Sequence, residues 1–461
     1  MPKSTHFRTL NLSPELLNNL GDLGYHDMTL VQAQALPLVL AGKDVMAQAK
    51  TGSGKTAAFG LGLLNKLDVG QFRAQALVLC PTRELADQVA KEIRRLARAV
   101  ANVKVLSLCG GTPIGPQIAS LERSAHVIVG TPGRVLKHLR KATLKLGGAK
   151  TLVLDEADRM LDMGFEDDLD AIVNFLPKRR QTLLFSATYP KTMMAISRRV
   201  QREPVVVDVT VEEKPAQIEQ RYATVTVENR QPLLVDALKA WGGALNVVFC
   251  NTRIDCAAVG RYLKSKNISA VALHGDLDQS ERTQVLVRFA NRSAAVLIAT
   301  DVAARGLDVK DLDVVFNYEL PKQAEVYVHR IGRTARAGKT GLAVSLVEAR
   351  EQWRWDEINE MLDGKPAKKY SVPSDQPMPD FLVPEMTTLQ INGGRKNKLR
   401  PGDLLGTLTA EGGVPGTSVG KIDLFDTTAY VAIRNGDAEK AVAQLNAKPI
   451  KTKRYRARII R

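Results

Sequence analysis

Ala49-Lys50-Thr51-Gly52-Ser53-Gly54-Lys55-Thr56 joins glycines, a lysine and a terminal hydroxyl, and further on the chain reads Asp155-Glu156-Ala157-Asp158. The first segment suits phosphates. Its backbone N–H groups and the helix start behind it can face phosphate oxygens, Lys55 supplies a mobile positive charge, and the Thr56 hydroxyl can give an oxygen to magnesium. The acidic segment suits a magnesium ion at Asp155 and a water polarised by Glu156. Together they point to hydrolysis of a nucleoside triphosphate. A flexible surface turn and a solvated acidic turn are the bland alternatives, and the flanking patterns argue against both.

Those patterns are the elements that must hold the chemistry. Residues 42–47 read as a short buried strand and 57–64 as a helix, the strand–loop–helix context a phosphate loop requires. Ala49 stands where the loop usually begins with glycine, which is tolerable if its φ stays negative. Residues 150–154 read as a buried strand, so Asp155 and Glu156 emerge at a C-terminal strand end, where open α/β sheets place their ligands.

Short apolar runs at 76–79, 103–106, 126–129, 152–154, 183–185 and 204–207 alternate with helical spacing, which predicts a parallel sheet covered on both faces. A break at 211–216 reads as a linker. A second series follows at 246–249, 269–273, 295–298, 314–316 and 342–346, with no phosphate loop of its own. Five prolines and little apolar content mark 363–384 as another linker. The remaining tail has a β-α-β-β-α-β order, with strands at 387–391, 419–424, 430–433 and 455–460. The expected division is 1–210, 217–362, a linker at 363–384, and 385–461.

A chain of 461 residues is too long for one core. No apolar run reaches the roughly 18 residues of a membrane span, and the N-terminus lacks a hydrophobic signal core, so a cytoplasmic protein is expected. Cys80, Cys109, Cys250 and Cys256 have no metal-ligand spacing and read mainly as small buried hydrophobes. The net charge of +16 points to a polyanionic partner. From Glu385 to Arg461 there are 14 Lys and Arg against 7 Asp and Glu, so +7 of that excess sits in the tail. Solubility alone would not need that concentration.

Read in order, the short motifs of residues 7–346 resemble those of the DEAD-box ATP-dependent RNA helicases. The first part carries Phe7, Gly24-Tyr25, Gln32, the phosphate loop, Pro81-Thr82-Arg83-Glu84-Leu85-Ala86, Gly110-Gly111, Thr131-Pro132-Gly133-Arg134, Asp155 to Asp158 and Ser186-Ala187-Thr188. The second carries Asn251-Thr252-Arg253, Gln279-Ser280-Glu281-Arg282, Thr300-Asp301 through Asp308, and His329 through Arg336. Leu30 stands where the family usually has proline, and Ala335 where glycine is commoner.

The resemblance implies two tandem RecA-like parallel-sheet domains, ATP with Mg2+ as cofactor, and RNA as partner. Thr51, Gly52, Ser53, Gly54, Lys55 and Thr56 would hold the phosphates, with Thr56 and Asp155 on the metal and Glu156 on the water. Gln32 would read the adenine edge, Tyr25 would stack on the base (or be a core aromatic), and Asp308 would hold the ribose. Arg333 and Arg336, three apart on one helix, would act as fingers on the γ-phosphate. Ser186 and Thr188 would couple nucleotide state to closure. RNA would be held by Arg83, Gly110, Gly111, Thr131, Gly133 and Arg134 of the first domain and Arg282 and Thr300 of the second, through phosphates rather than bases.

The tail's order resembles an RNA-recognition-motif fold, a small α+β domain. Tyr430 is its only aromatic in the strand where that fold usually stacks bases. Basic residues gather instead at Arg395, Lys396, Lys398 and Arg400, and at Lys448, Lys451, Lys453, Arg454 and Arg456, a pattern suited to docking on folded RNA. Core and tail together resemble the bacterial DbpA subfamily, which implies a 23S ribosomal RNA hairpin and pre-50S particles as targets. An ATP-gated RNA clamp and a general RNA-turnover helicase stay open as alternatives.

Overall fold

The computed structural model of the chain describes residues 6–49, 52–186, 191–209, 218–304, 312–335, 340–362 and 367–460. Short β-branched and leucine-rich runs form seven parallel strands in the N-terminal part: β1 (Val45–Gln48), β2 (Ala76–Leu79), β3 (Val105–Leu108), β4 (Val127–Gly130), β5 (Thr151–Asp155), β6 (Gln181–Ser186) and β7 (Val205–Asp208). Their order is β3-β4-β2-β5-β6-β1-β7. Successive side chains leave a strand on opposite faces. Hence Ala76 and Val78 join one apolar core while Leu77 and Leu79 join the other. All four are buried; complete burial of a valine or leucine contributes about 1.5–3 kcal/mol.

The second sheet repeats the plan with β8 (Ile218–Val225), β9 (Asn246–Cys250), β10 (Ala270–Leu273), β11 (Val296–Thr300), β12 (Val314–Asn317), β13 (Gly341–Glu348) and β14 (Lys368–Lys369). Its order, β10-β11-β9-β12-β13-β8-β14, is the first sheet's order strand for strand. β8 is absent from the apolar runs of the sequence: Glu219, Gln220 and Arg221 interrupt it, yet it pairs with β13 over eight residues. The proline-rich segment read as a linker also adds to this sheet. Lys368–Lys369 pairs with β8, and Leu382 is fully buried in the core with Val372 and Met378 packed beside it.

The tail forms β15 (Met386–Ile391), β16 (Val419–Leu424), β17 (Ala429–Arg434) and β18 (Ala457–Ile459), antiparallel in the order β16-β17-β15-β18. Helices Pro401–Thr409 and Ala438–Ala447 fall in the expected places. Leu389, Ile391, Leu404, Val431 and Ile433 share one core. The chain divides into two compact units, one built on β1–β7 and the other on β8–β18, so the small sheet belongs to the second unit. No helix among the described residues is long and apolar enough to cross a membrane.

Candidate functional site

The phosphate loop leaves the C-terminal end of β1. Gly52 and Gly54 have φ of +89° and +94°, conformations that cost a side chain strain. A Cβ on Gly54 would also lie 2.4 Å from Gln32 Nε2. Ala49, as its replacement of glycine requires, is not among the positive-φ residues. Gly54 caps helix Lys55–Leu64, whose free N–H groups and dipole favour an anion. Lys55 is buried, and its Nζ donates to the Ala49 carbonyl at 2.7 Å. The Ser53 hydroxyl oxygen is buried with no hydrogen-bond partner among the described residues. An unsatisfied buried hydroxyl is costly, and a phosphate oxygen would satisfy it. Thr56, one residue into the helix, is partly exposed. Thr51 lies outside the described residues.

Asp155 ends β5 and is 3% exposed. Burial pushes its carboxyl up to about 7; Lys55 opposes this, and the charges of Glu156 and Asp158 add to it. A buried acid so disposed gains from a cation. No group of three His, Cys, Asp or Glu among the described residues could hold a metal. Magnesium is commonly bound by one or two carboxylates together with substrate phosphates, and Asp155 with Thr56 fits that pattern.

Glu156 is held in the left-handed region at φ 52°, an uncommon place for a non-glycine residue. Its carboxylate accepts from Arg159 Nη1 at 2.8 Å, both side chains being buried. That pair aims the acid, and Arg159 had no role in the sequence reading. Ser186 closes β6 fully buried, and its carbonyl accepts from Ala49 N–H at 3.0 Å, tying it to the phosphate loop. Thr188 lies outside the described residues.

The two adenine candidates are engaged within their own unit. Gln32 Oε1 accepts from Thr29 N–H at 2.9 Å, and Nε2 donates to the Gly54 carbonyl at 3.1 Å. The amide thus joins a helix start to the phosphate loop. The Tyr25 hydroxyl donates to Glu92 at 3.0 Å, its ring meets Phe7 edge-on, and Arg95 lies over it.

Arg83, Gly110, Gly111, Thr131, Gly133 and Arg134 all stand at or just beyond the ends of β2, β3 and β4. The glycines serve a purpose the sequence did not reveal. A Cβ on Gly111, where φ is +72°, would lie 1.5 Å from Arg83 Nη1. The glycine pair therefore makes room for a guanidinium from its own unit. Arg134 donates through Nη1 to Gln117 Oε1 and through Nη2 to the Thr112 carbonyl, both at 2.9 Å. Gln117 Nε2 in turn donates to the Cys109 carbonyl at 2.9 Å. His138 Nε2 meets the same Gln117 oxygen at 2.9 Å. An amide oxygen only accepts, so Nε2 carries the hydrogen. Burial, with Arg134 and Lys137 nearby, lowers the pKa of His138. Gln117 thus fixes two RNA-candidate loops at once. A lone glutamine in a helix offered no signal of this.

In the second unit Arg282 lies partly buried on helix Gln279–Ala290, and Thr300 ends β11 with 8% exposure. Arg333 needs a correction. Helix Ala324–Ile331 stops before it, at Gly332. Thr334 bridges to Leu312 and Ala335 turns to φ 56°, so Arg333 sits in a buried turn and helical spacing cannot align it with Arg336. Arg336 and Asp308 lie outside the described residues. The neighbouring Arg330, given no role by sequence, is a hub at 1% exposure. It grips both Asp301 oxygens at 2.7 Å and donates to the Asn251 side chain and the Glu319 carbonyl.

In the tail, Arg395, Lys396, Lys398, Lys451, Lys453 and Arg454 are exposed. Lys451 Nζ reaches both the Lys398 carbonyl and Asp403 at 2.8 Å, which sets the two basic loops side by side. Tyr430 is 3% exposed and cannot stack a base: it packs with Ile460 against Val287 of helix Gln279–Ala290. Beside it Thr388 Oγ1 meets Ser293 Oγ at 2.6 Å and accepts from Asn291 Nδ2 at 3.2 Å. The outer sheet face is thus partly docked on the helicase unit.

Comparison with known proteins accords with this geometry. Three family profiles match in succession: the DEAD/DEAH box helicase over residues 29–196, the helicase conserved C-terminal domain over 231–338, and the DbpA RNA binding domain over 388–459. The ATP-dependent RNA helicase DbpA of Escherichia coli (strain K12) is 53% identical over 458 residues, 99% of this chain and 100% of that one. The DEAD-box ATP-dependent RNA helicase CshA of Geobacillus kaustophilus is 44% identical over 348 residues, 75% of this chain and 74% of that one. A solved structure of S. cerevisiae Dbp5 bound to RNA and ADP BeF3 matches with a TM-score of 0.72 at 30% identity, covering 80% of this chain and 96% of that one. With phosphate loop, acidic motif, duplicated sheets and RNA-binding tail all accounted for, the chain belongs to the DEAD-box ATP-dependent RNA helicases, in the DbpA subfamily.

Proposed function

We propose that this helicase opens short RNA duplexes during assembly of the large ribosomal subunit, directed to a 23S rRNA hairpin by its C-terminal module. The observation that carries this reading is the exposed pair of basic loops, joined through Lys451, on a module whose sheet is partly docked on the second helicase unit. Such a surface suits phosphates and RNA shape. A module docked in this way keeps neighbouring RNA close to the helicase, which raises its effective concentration.

In this reading Lys55, Ser53 and the N–H groups around Gly54 bind the ATP phosphates. Thr56 and Asp155 would hold magnesium, which would supply positive charge against the transferred phosphoryl group. Glu156, oriented by Arg159, accepts the proton of the attacking water. Arg333 and Arg336 stabilise equatorial charge, Asp308 holds the ribose, and Tyr25 and Gln32 select adenine, Gln32 exchanging its bond to Gly54 for the base. Arg83, Gly110, Gly111, Thr131, Gly133, Arg134, Arg282 and Thr300 hold one RNA strand. Ser186 and Thr188 transmit the nucleotide state.

ATP hydrolysis by the full chain, measured with a 23S rRNA fragment carrying the hairpin against poly(A) and tRNA, tests the targeting. Stimulation by the rRNA fragment alone supports it; equal stimulation by all three overturns it. Strand displacement from a duplex beside the hairpin tests the action, since a clamp would retain RNA in ATP without releasing a strand.

A further inference from the structure

The strands of the first sheet run parallel, so its two ends differ. The C-terminal end carries the phosphate loop, Asp155 and the RNA candidates of the first unit. The N-terminal end has no part in that chemistry, and it is basic. Six of the seven strands have a Lys or Arg within the three residues before them, and Arg123 stands four before β4. The second sheet supplies a comparison: the three residues before each of β9, β10, β11 and β12 include no Lys or Arg. A basic approach is therefore not how this chain starts a strand in general.

Backbone hydrogen bonds set these positions in one row. The Lys104 carbonyl accepts from His126 N–H, the His126 carbonyl from Gln75 N–H, the Gln75 carbonyl from Lys150 N–H and the Lys150 carbonyl from Gln181 N–H, at 2.7–2.9 Å. Neighbouring strands lie about 4.8 Å apart, so the row from β3 to β6 spans roughly 19 Å. Arg73 lies across the turn before β5, where a Cβ on Gly148 would stand 2.7 Å from its Cδ. Lys104 donates to the Ser120 carbonyl at 3.0 Å; burial lowers its pKa, and the Arg123 charge lowers it further. Lys43, Arg73, Arg123, Lys150, Lys178 and Arg179 are exposed and form no ion pair among the described residues. Acids do not balance them. Asp44 is buried and accepts from the Thr182 and Arg202 N–H groups at 2.8 and 2.7 Å, and Asp68 accepts from Gly70 N–H within its own loop. Glu122 and Glu203 are the exposed acids of the row.

Phe72 stands among these cations. It is 60% exposed, beside Arg73 in the chain, and its ring rests on His126 with centroids 5.3 Å apart. His126 Nδ1 accepts from Lys104 N–H at 3.0 Å, so Nε2 carries the hydrogen, and it is buried with no hydrogen-bond partner among the described residues. The imidazole thus serves as a seat for the exposed ring.

We propose that this N-terminal rim is a second RNA surface, whose cations hold the phosphates of a folded RNA while Phe72 stacks on one of its unpaired bases. A row of unbalanced cations around an exposed aromatic suits nucleic acid, and stacking of this kind tolerates any base. The segment held here is not the strand at the motif loops: at about 3.3 Å per residue, Lys150 and Asp155 stand roughly 16 Å apart along β5. The helicase thereby grips a large RNA at two places, one that it remodels and one that it only holds. The rim reads phosphates, which carry no sequence, so it does not depend on the 23S assignment.

The test uses the full chain. In the wild type, chemical labelling of lysines is compared without RNA, with a short single-stranded oligonucleotide that reaches only the motif loops, and with the 23S rRNA fragment. The fragment should protect Lys43, Lys150 and Lys178, and the oligonucleotide should not. Unchanged labelling of all three lysines in the presence of the fragment would overturn the rim. Affinity for the fragment is then titrated against salt. Arg73→Gln, Arg123→Gln and Lys150→Gln combined should weaken it about tenfold and lower the salt slope by about two to three. Phe72→Ala should weaken it about fivefold with the slope unchanged. Thermal melting confirms the fold, and ATPase stimulated by the oligonucleotide should stay at the wild-type level. A charge-matched set on exposed positions of the second unit, Arg261→Gln, Lys264→Gln and Lys266→Gln, should keep wild-type affinity. An equal loss in that set would reduce the rim to general electrostatic attraction and refute it. An unrelated folded RNA of the same length should show the same losses, so failure of the 23S targeting would leave the rim standing.

Discussion

Arg330 binds Asp301 through two parallel hydrogen bonds of 2.7 Å from Nε and Nη2, while Nη2 also reaches the Asn251 side chain and Nη1 reaches the Glu319 carbonyl. One guanidinium thereby fastens together the ends of β9, β11 and β12, the strand ends that carry the second unit's motifs. A lysine has neither the planar fork nor enough donors to replace it.

Arg330→Leu should therefore destabilise the second unit by about 3–5 kcal/mol, because it strands Asp301 and several buried acceptors. Arg330→Lys should recover only part of the loss. Denaturant unfolding would measure both, and a variant as stable as the wild type would show that the hub is dispensable.

Glu156→Gln preserves the hydrogen bond from Arg159 but removes the group proposed to take a proton. ATP binding should persist while turnover falls by at least ~100-fold, the usual scale for a lost general base. Equilibrium binding of a fluorescent ATP analogue and steady-state hydrolysis separate the two effects. Full turnover would remove Glu156 from the mechanism.

Asp155 makes the N-terminal unit sensitive to pH. Burial raises its folded carboxyl from the ordinary 3.8 to about 7, so between these values the native state keeps a proton that the unfolded chain has lost. Stability without ligand should fall as pH rises through that window and level off above it. Asp155→Asn should flatten this dependence while abolishing hydrolysis. Magnesium-dependent nucleotide binding should run the other way and tighten as pH rises through about 7, because the ligand must be ionised. Melting curves and nucleotide titrations across that range check both signs.

Gln117→Ala should release Arg134 and the Cys109–Thr112 loop together. Hydrogen bonds to charged groups contribute about 1.5–3 kcal/mol, so the RNA concentration giving half-maximal ATPase stimulation should rise about tenfold or more. Hydrolysis without RNA should be unchanged, since Gln117 touches nothing in the phosphate loop. Equal loss in both assays would make its role general stability instead.

Much of this molecule is legible in sequence because its strands are buried on both faces. Runs such as Ala76–Leu79 and Val127–Gly130 are apolar throughout and announce themselves. β8 does not, because it lies beside the edge strand β14 and carries Glu219, Gln220 and Arg221. The phosphate loop and acidic motif are local in sequence, so their spacing reveals them. Arg159, Gln117 and Arg330 act by fixing other residues, and partnership of that kind depends on tertiary contact. Only the helical placement of Arg333 differs, for a related reason: helical spacing holds only while the helix lasts, and Gly332 ends it. The single aromatic at the usual stacking strand, Tyr430, was readable, but its docking on Val287 was not.

That docking has a consequence that separates tethering from recognition. Val287, Tyr430 and Ile460 form an apolar contact, flanked by the buried Thr388–Ser293 hydrogen bond. Val287→Asp would bury an unpaired carboxylate there, a cost large enough to undock the sheet face. The small sheet keeps its own core of Leu389, Val431 and Ile433 on the opposite face, so the module should stay folded. Hydrogen exchange should rise over 287–293 and 386–390, and affinity for the 23S rRNA fragment should hold. Stimulated ATPase and strand displacement should both fall, because RNA held by an undocked module is no longer presented to the helicase at a fixed distance. If exchange rises while displacement stays at the wild-type level, the docked face is a packing convenience and the covalent connection alone supplies the tether.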